Sequence, residues 1–344
     1  MAGGLRTHHP LLINPLSYHF GLPYETKYQQ PDHDSQFAAL RMSSQLFGKD
    51  SSVQIPTFPA MHPLLSLTRP GNVLIATSSV WLGGWVAGAS MSGSGIWLDG
   101  LAMGLLAAGG NLHNDIIDLP VDRINQPDRA LPAGRISLRA VQMATGFLLL
   151  TAIVIGIVRG PTHLVFFSAI AVVLYVYNRW LKGLPIVGNL AVAALCGSAV
   201  ILPMIDASLW PPLSQPSVLI PLAIFSVLFT WTRELIKDIE DMEGDAAVHL
   251  HTLPLLIGKK ASLACARGLL TFSVLSVVAP SILGLYPLSF SFVAALLVLP
   301  VSILSFRALS WEKPKPRKAQ SLIKLALIGG LVASIVVFRV IPHF

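Results

Sequence analysis

The sequence predicts an all-α fold, a polytopic bundle of nine membrane-spanning helices, and three observations carry that prediction. First, apolar types make up 53% of the 344 residues and charged types only 12%, with a mean hydropathy of +0.66. A soluble domain carries roughly 25% charged residues, so too few charges remain to coat a water-facing surface. Second, nine stretches approach the length of about 20 apolar residues that crosses a bilayer. Third, the 24 Lys and Arg segregate: once these nine spans are counted, all but Arg159 and Arg339 fall on one side. That asymmetry is the positive-inside pattern, with the N-terminus in the cytosol and the C-terminus outside. The same segregation accounts for the net charge of +7 without a nucleic-acid partner. Disorder requires the opposite composition, and Cys196 and Cys265, the only cysteines, exclude a disulfide scaffold.

Along the chain, residues 1–65 are rich in His, Pro, Gln and Ser and lack a sustained helical period, as expected of a poorly ordered cytosolic tail. Glu25, Asp32, Asp34 and Asp50 argue against an acid-poor transit peptide, and no apolar segment near Met1 marks a secretory signal. The membrane domain, 66–344, then runs through spans at 72–91, 96–113, 140–158, 162–180, 187–206, 217–236, 262–283, 288–307 and 320–341. The second is the weakest, because Asp99 lies near its start and it ends in a polar stretch. Pro127, Pro132 and Gly134 mark the segment before the third as a structured loop rather than a continuing helix. The basic run from Lys313 to Lys318 reads as a topology signal that touches anionic lipid.

The acids are concentrated. Of 17 Asp and Glu, ten lie in two short segments, 115–128 and 234–245, after the second and sixth spans and on the same side. In the first, Asn114, Asp118 and Asp122 recur at i, i+4 and i+8, with Asp115 beside them; in the second, Asp238, Asp241 and Asp245 recur at i, i+3 and i+7, with Glu234 one turn earlier. Such spacing puts each set on one helical face, where like charges repel unless a countercharge is present. Oxygen donors without interleaved His or Cys suit a hard cation, Mg²⁺ above all, which prefers to bridge a few carboxylates to substrate phosphate oxygens. Solvated acids at a membrane edge are the plainer explanation of one such cluster; two clusters with periodic spacing on one side favour a diphosphate clamp. The separation of four spans hints at a parallel internal repeat.

The residues of the first segment, Asn114-Asp115-x-x-Asp118-x-x-x-Asp122-Arg123-x-Asn125-x-Pro127-x-Arg129-x-Leu131-Pro132-x-Gly134, resemble the first signature of the UbiA family of intramembrane prenyltransferases. The run Arg233-Glu234-x-x-Lys237-Asp238-x-Glu240-Asp241-x-Glu243-Gly244-Asp245, followed by Thr252-Leu253-Pro254 and Gly258, resembles the second, and Arg69-Pro70-x-Asn72 is similar to the family's entry into span 1. Ala130 stands where relatives often have Pro, and the polar tail lies outside the match.

The resemblance implies a Mg²⁺-dependent transferase that moves a polyprenyl group, here geranylgeranyl, from its diphosphate to an acceptor. Asn114, Asp115, Asp118, Asp122, Glu234, Asp238, Asp241 and Asp245 would supply metal ligands, with Asp118, Asp122, Asp238, Asp241, Arg123 and Lys237 acting at the reacting diphosphate. Arg69, Asn72, Arg129, Tyr177, Asn178, Lys182, Asn189 and Arg233 would contact substrate. The wording of the second segment most resembles the ether-lipid branch, whose acceptor is geranylgeranylglyceryl phosphate; an aromatic acceptor of quinone, tocopherol or chlorophyll synthesis is the alternative. A terpene cyclase on the same scaffold, or a cation transporter, is a more distant reading, since the acids gather at one face rather than at the midplane. Membrane lipids are the only other partner expected; no protein partner is.

Two sequence features support a bland reading as well as a functional one. Tyr175 and Tyr177 fit an interfacial aromatic belt as well as an acceptor site. Asn189 fits helix–helix bonding as well as substrate contact.

Overall fold

A computed structural model describes residues 62–89, 93–205, 218–247 and 250–340, which belong to one unit, Met61–Phe344. All of the expected N-terminal tail before His62 lies outside the described residues.

The chain enters through a short helix, α1 (Pro63–Leu67), whose first turn is capped by His62 accepting from the Leu64 amide. Helix α2 (Pro70–Ala87) begins on Pro70, which has no amide to leave unsatisfied. Arg69 before it is held in the left-handed region (φ 56°, ψ 67°). Helix α3 (Ser94–Ile117) is followed after a single residue by α4 (Leu119–Asn125). Pro120 sits in the first turn of α4, where its missing amide leaves no bond unmade. After the loop come α5 (Leu138–Arg159), capped by Ser137, and α6 (Pro161–Val176), which widens into a π turn at Tyr177–Leu181. Then follow α7 (Val187–Ile201), α8 (Leu219–Ala247), α9 (Leu253–Ile282), α10 (Leu288–Ala308) and α11 (Pro316–Ile335). The described residues contain no strand.

Each of the nine expected spans coincides with a long helix, but length and apolarity together qualify seven: those from α5 onward. Helices α2 and α3 have 18 and 24 residues and fall short in apolarity, so the count of nine spans is not established by this measure. The reason is compositional. Asn72, Ser79, Asn111 and Asn114 of these two helices line an internal cavity, and a helix that faces a polar cavity need not be apolar all round. Helices α2 and α3 also approach closely: Gly100 and Gly104 face Trp81 and Thr77, and a Cβ at either glycine would overlap those side chains.

Apolar packing divides between two main clusters. One joins α8, α9, α10 and α11 around Phe225, Phe229, Leu270, Phe290 and Ile323. The other joins α2, α3, α5, α6 and α7 around Val80, Leu106, Phe167 and Leu202. A smaller cluster of Leu67, Leu112, Ala130, Leu131 and Val141 fixes the loop before α5. Ala130 is therefore a core residue, and the departure from Pro costs the loop nothing visible.

Asp99, the oddity of the second span, is fully buried and held by Arg159 through two bonds of 2.8 and 3.0 Å, with His163 at 3.5 Å. The other exceptional cation, Arg339, donates to the Trp85 carbonyl. Arg159 is thus spent inside the bundle, whereas Arg339 stays exposed at the surface, tied to the end of α2. Removing one partner of a buried pair strands the other charge at a cost of about 3–5 kcal/mol. Arg159→Met is accordingly expected to lower the thermal midpoint of the detergent-solubilised protein. Adding Asp99→Asn recovers most of the loss, as differential scanning fluorimetry would show.

Candidate active site

The two acid-rich segments meet. Helix α8 continues for three turns beyond its apolar part, so Glu234 to Asp245 form one helical ladder, and α4 packs against it. Between α2, α3, α6, α7, α8 and α11 lies a cavity of about 570 Å³. Its outer wall carries Arg69, Arg129, Arg233, Lys237, Arg317 and Lys324 against only Glu234, Glu240 and Asp241. Its depth is apolar, lined by Met103, Leu106, Ile170, Leu222, Phe225 and Leu331. A charged mouth above a hydrocarbon-like chamber suits a ligand with an anionic head and a long apolar tail.

On the α3 side, Asn178 is the central amide. Buried in the π turn, it accepts from Asn114 (3.1 Å) and donates to the Gly110 carbonyl (3.3 Å), with His113 Nδ1 at 3.0 Å. Arg69 donates to Asp115 (2.6 Å) and Asn114 (3.2 Å), and its left-handed backbone turns the chain from α1 into α2. A non-glycine residue in that region stores strain, and here the two bonds to α3 hold it. Arg129 reaches back from the loop to Asp122 at 2.8 Å and lies 3.7 Å from Asp115. Lys182, just after the π turn, pairs with Asp118. Burial pulls the Lys182 amine below its usual value, and Asp118 works in the opposite direction.

On the α8 side, Asn189 of α7 donates to Asp238 at 2.7 Å. Ile186, at φ 67°, turns the chain into α7 just before it. Arg233 pairs with its neighbour Glu234, which is 5% exposed. Asp245 is buried at the helix end. The next helix, α9, is broken at Gly258 (φ 81°, ψ 158°), a conformation natural only to glycine. This accounts for the glycine after Thr252-Leu253-Pro254.

The expected residues therefore separate into three groups. Arg69, Asn72, Asn114, Arg129, Tyr177, Asn178, Arg233, Glu234, Lys237 and Asp241 line the cavity. Asp115, Asp118, Asp122, Lys182, Asn189, Asp238 and Asp245 are not part of that lining; the first six are tied to a cation, a carboxylate or an amide of another segment. Arg123 is exposed and does not line the cavity. Tyr175 and Tyr177 part company: Tyr175 is exposed and stacks on His113, whereas Tyr177 faces the cavity. Asn189 joins two helices, as its alternative reading had it. Gln126, Glu240, Arg317, Gln320 and Lys324 line the cavity without having been singled out. For Lys324 a signal existed, since a lysine two turns inside an apolar helix is expensive in lipid.

Among the described residues, no three or more His, Cys, Asp or Glu side chains form a group placed to hold a metal ion. The carboxylates are instead spaced along α3, α4 and α8 around the mouth. The donor set still fits Mg²⁺, which is bound through one or two carboxylates plus substrate phosphates rather than a closed protein cage.

An all-α membrane bundle whose apolar chamber opens onto acid-bearing helices and a cationic wall is the architecture of an intramembrane enzyme acting on amphiphilic phosphates. The chain belongs to the UbiA prenyltransferase family, whose model matches residues 76–328. It is 33% identical to the digeranylgeranylglyceryl phosphate synthase of Natronomonas pharaonis, over 79% of this chain and 95% of that protein. It is also 33% identical to the synthase of that name from Methanopyrus kandleri, over 79% of this chain and 98% of that one. A structure solved in work on digeranylgeranylglyceryl phosphate synthase in membranes shares the fold with a TM-score of 0.61 and 26% identity, over 81% of this chain and 98% of that one. A UbiA homologue from Archaeoglobus fulgidus bound to GPP and Mg²⁺ shares it at 0.60, with 17% identity, over 80% of this chain and 99% of that one.

Asn178 is the amide on which the α3 side converges, and its loss leaves the Asn114 amide N–H without its acceptor. Asn178→Leu is expected to lower prenyl-transfer activity by about tenfold or more, on the scale of one buried hydrogen bond to a site residue. Tyr175→Ala should stay within about twofold of wild type, as usual for an exposed side chain. Steady-state assays of both variants in the same membranes make the comparison.

Proposed function

We propose that the protein transfers a geranylgeranyl group from its diphosphate to the free hydroxyl of geranylgeranylglyceryl phosphate, forming the second ether bond of a membrane lipid. The observation that carries this reading is the cavity: acids and cations at the mouth, hydrocarbon lining in the depth. The relatives' shared name supports the choice of acceptor.

Cleaving the allylic C–O bond sends the electron pair to the diphosphate. The glycerol oxygen then forms the new C–O bond to the allyl cation and gives up its proton. Bound Mg²⁺ would neutralise the leaving diphosphate. Asn114, Asp118 and Asp122 on one side, and Asp238, Asp241 and Asp245 on the other, are the residues we assign to hold it. Arg129, Lys182 and Lys237 add fixed positive charge where negative charge develops, which is most effective where water is scarce. Lys182 and Arg129 are paired with Asp118 and Asp122. Where those acids hold the metal, both cations would be available to the diphosphate. The apolar chamber takes the prenyl tail and keeps water from the cation. We place the mouth and the N-terminus on the cytosolic side, following the charge asymmetry.

Three outcomes follow. Purified protein given geranylgeranyl diphosphate and geranylgeranylglyceryl phosphate should release pyrophosphate and yield the diether phosphate by mass spectrometry; alkylation of aromatic acids alone would replace this acceptor with the other. Chelation should abolish turnover, and Mg²⁺ should restore it. Asp118→Ala or Asp238→Ala should each reduce the rate by about a thousandfold or more, the scale of a lost electrostatic element of catalysis, measured per folded molecule in the fraction that keeps the wild-type elution profile, since either loss also breaks a tie to Lys182 or Asn189 and lowers the thermal midpoint. Wild-type rates in either variant would remove the metal assignment.

A further inference from the structure

The α11 face of the cavity follows one helical stripe: Arg317, Gln320, Lys324, Leu327 and Leu331, spaced by three and four residues. Arg317 and Gln320 both bond Glu240 of α8, which sets the antiparallel register of the two helices. Lys324, the next rung inward, comes level with Arg233 and Glu234. It is the last polar rung before the leucines, and it sits about 12 Å along α11 from its start at 1.5 Å per residue.

Lys324 has no hydrogen bond and no carboxylate within ion-pair distance among the described residues, unlike every arginine on the same wall. Arg233 pairs with Glu234 through one terminal nitrogen only, and its buried Nε has no partner. Two cations thus converge on the α8–α11 wall with donors unspent, in a helix pair that spans lipid. Such charge is costly unless something answers it. The acids assigned to Mg²⁺ lie along α3, α4 and the outer turns of α8, and they suit a metal-bridged diphosphate. A monophosphate that brings no metal of its own needs cations directly: an Arg fork beside a Lys point charge.

We infer that Lys324 and Arg233 form a second anion subsite, which binds the phosphate of the acceptor lipid and selects phosphorylated over uncharged acceptors. The inference rests on the transfer reading above and adds the residues that would recognise the acceptor. Its placement at the polar–apolar boundary seats the headgroup beside the diphosphate with its hydrocarbon alongside Leu327 and Leu331.

The test compares geranylgeranylglyceryl phosphate with its dephosphorylated glycerol ether, each with geranylgeranyl diphosphate, in wild type, Lys324→Met and Lys324→Arg. Loss of one charged hydrogen-bond donor is worth about tenfold or more. The expected result is a fall of that size in kcat/KM for the phosphorylated acceptor in Lys324→Met, carried by its KM. The KM for the diphosphate donor and the rate with the uncharged ether stay within about twofold, and Lys324→Arg retains most of the preference. Lys324→Gln provides the same comparison should the methionine variant fail to fold. A donor KM that rises in step, or an unchanged preference in a folded variant, would overturn the subsite while leaving the transfer reading intact. A wild-type enzyme that releases pyrophosphate yet alkylates neither glycerol lipid would overturn both.

Discussion

A charge placed beside hydrocarbon must be answered by another group, and the architecture of this bundle follows from that requirement. Seven of its helices are long and apolar enough to cross a membrane, yet most of the molecule's acids gather in two short stretches at one end. Left alone, such acids would repel one another along each helix and resist transfer out of water. The structure answers them from outside their own helices. Arg69 reaches Asp115 from the turn before α2, Lys182 reaches Asp118 from beyond α6, Arg129 reaches Asp122 from the loop, and Asn189 reaches Asp238 from α7. Three of these bonds also tie together segments distant in sequence, and the Arg129 bond folds its loop back onto α4. The site and the fold around it are therefore one network, and the strained backbone at Arg69 and Ile186 lies at its edges.

The same requirement shapes the far end differently. Asp99 is matched there by Arg159 and His163, and the pair joins α3, α5 and α6. At the site end the balance is open: six cations on the cavity wall face three acids. A surplus of positive charge over an apolar chamber is a complement to an anionic amphiphile, and it is what separates a binding chamber from a salt-bridged core.

What was legible in the sequence follows from which signals are local. Helix positions were, because twenty apolar residues in a row leave few alternatives, and every expected span coincides with a long helix. The acid ladders were, because i, i+3, i+4 and i+7 spacing fixes a face before any packing is known. The partners were not. Nothing in the spacing says that Asn189 meets Asp238 or that Asp99 meets Arg159, since those contacts depend on which helices become neighbours. Arg123 shows the converse: adjacency to Asp122 in sequence turned it outward, while Arg129, seven residues on, came back to Asp122. Glu240 was visible as an acid but not as the anchor of α11. Lys324 was counted only as a topology charge, because hydropathy averages a lone lysine away.

The two failures of apolarity, α2 and α3, have a common cause that hydropathy does not express. Both helices have to face three surroundings at once: lipid or packed neighbours, one another across Gly100 and Gly104, and the cavity through Asn72, Ser79, Asn111 and Asn114. A helix with one polar stripe scores as a poor membrane span although its remaining faces are apolar. The converse holds for α8, whose inner half is apolar enough to cross a membrane and whose outer half is a charged ladder in the same unbroken helix. Because that helix is continuous, the carboxylates at Asp238 and Asp241 are held rigidly above the chamber that Leu222 and Phe225 line below. The spacing between that carboxylate ladder and the apolar chamber is then set by the rise of one helix, not by a loop. A shift of α8 along its axis would move the carboxylate ladder and the chamber wall together, keeping the two in register while changing only their relation to α3.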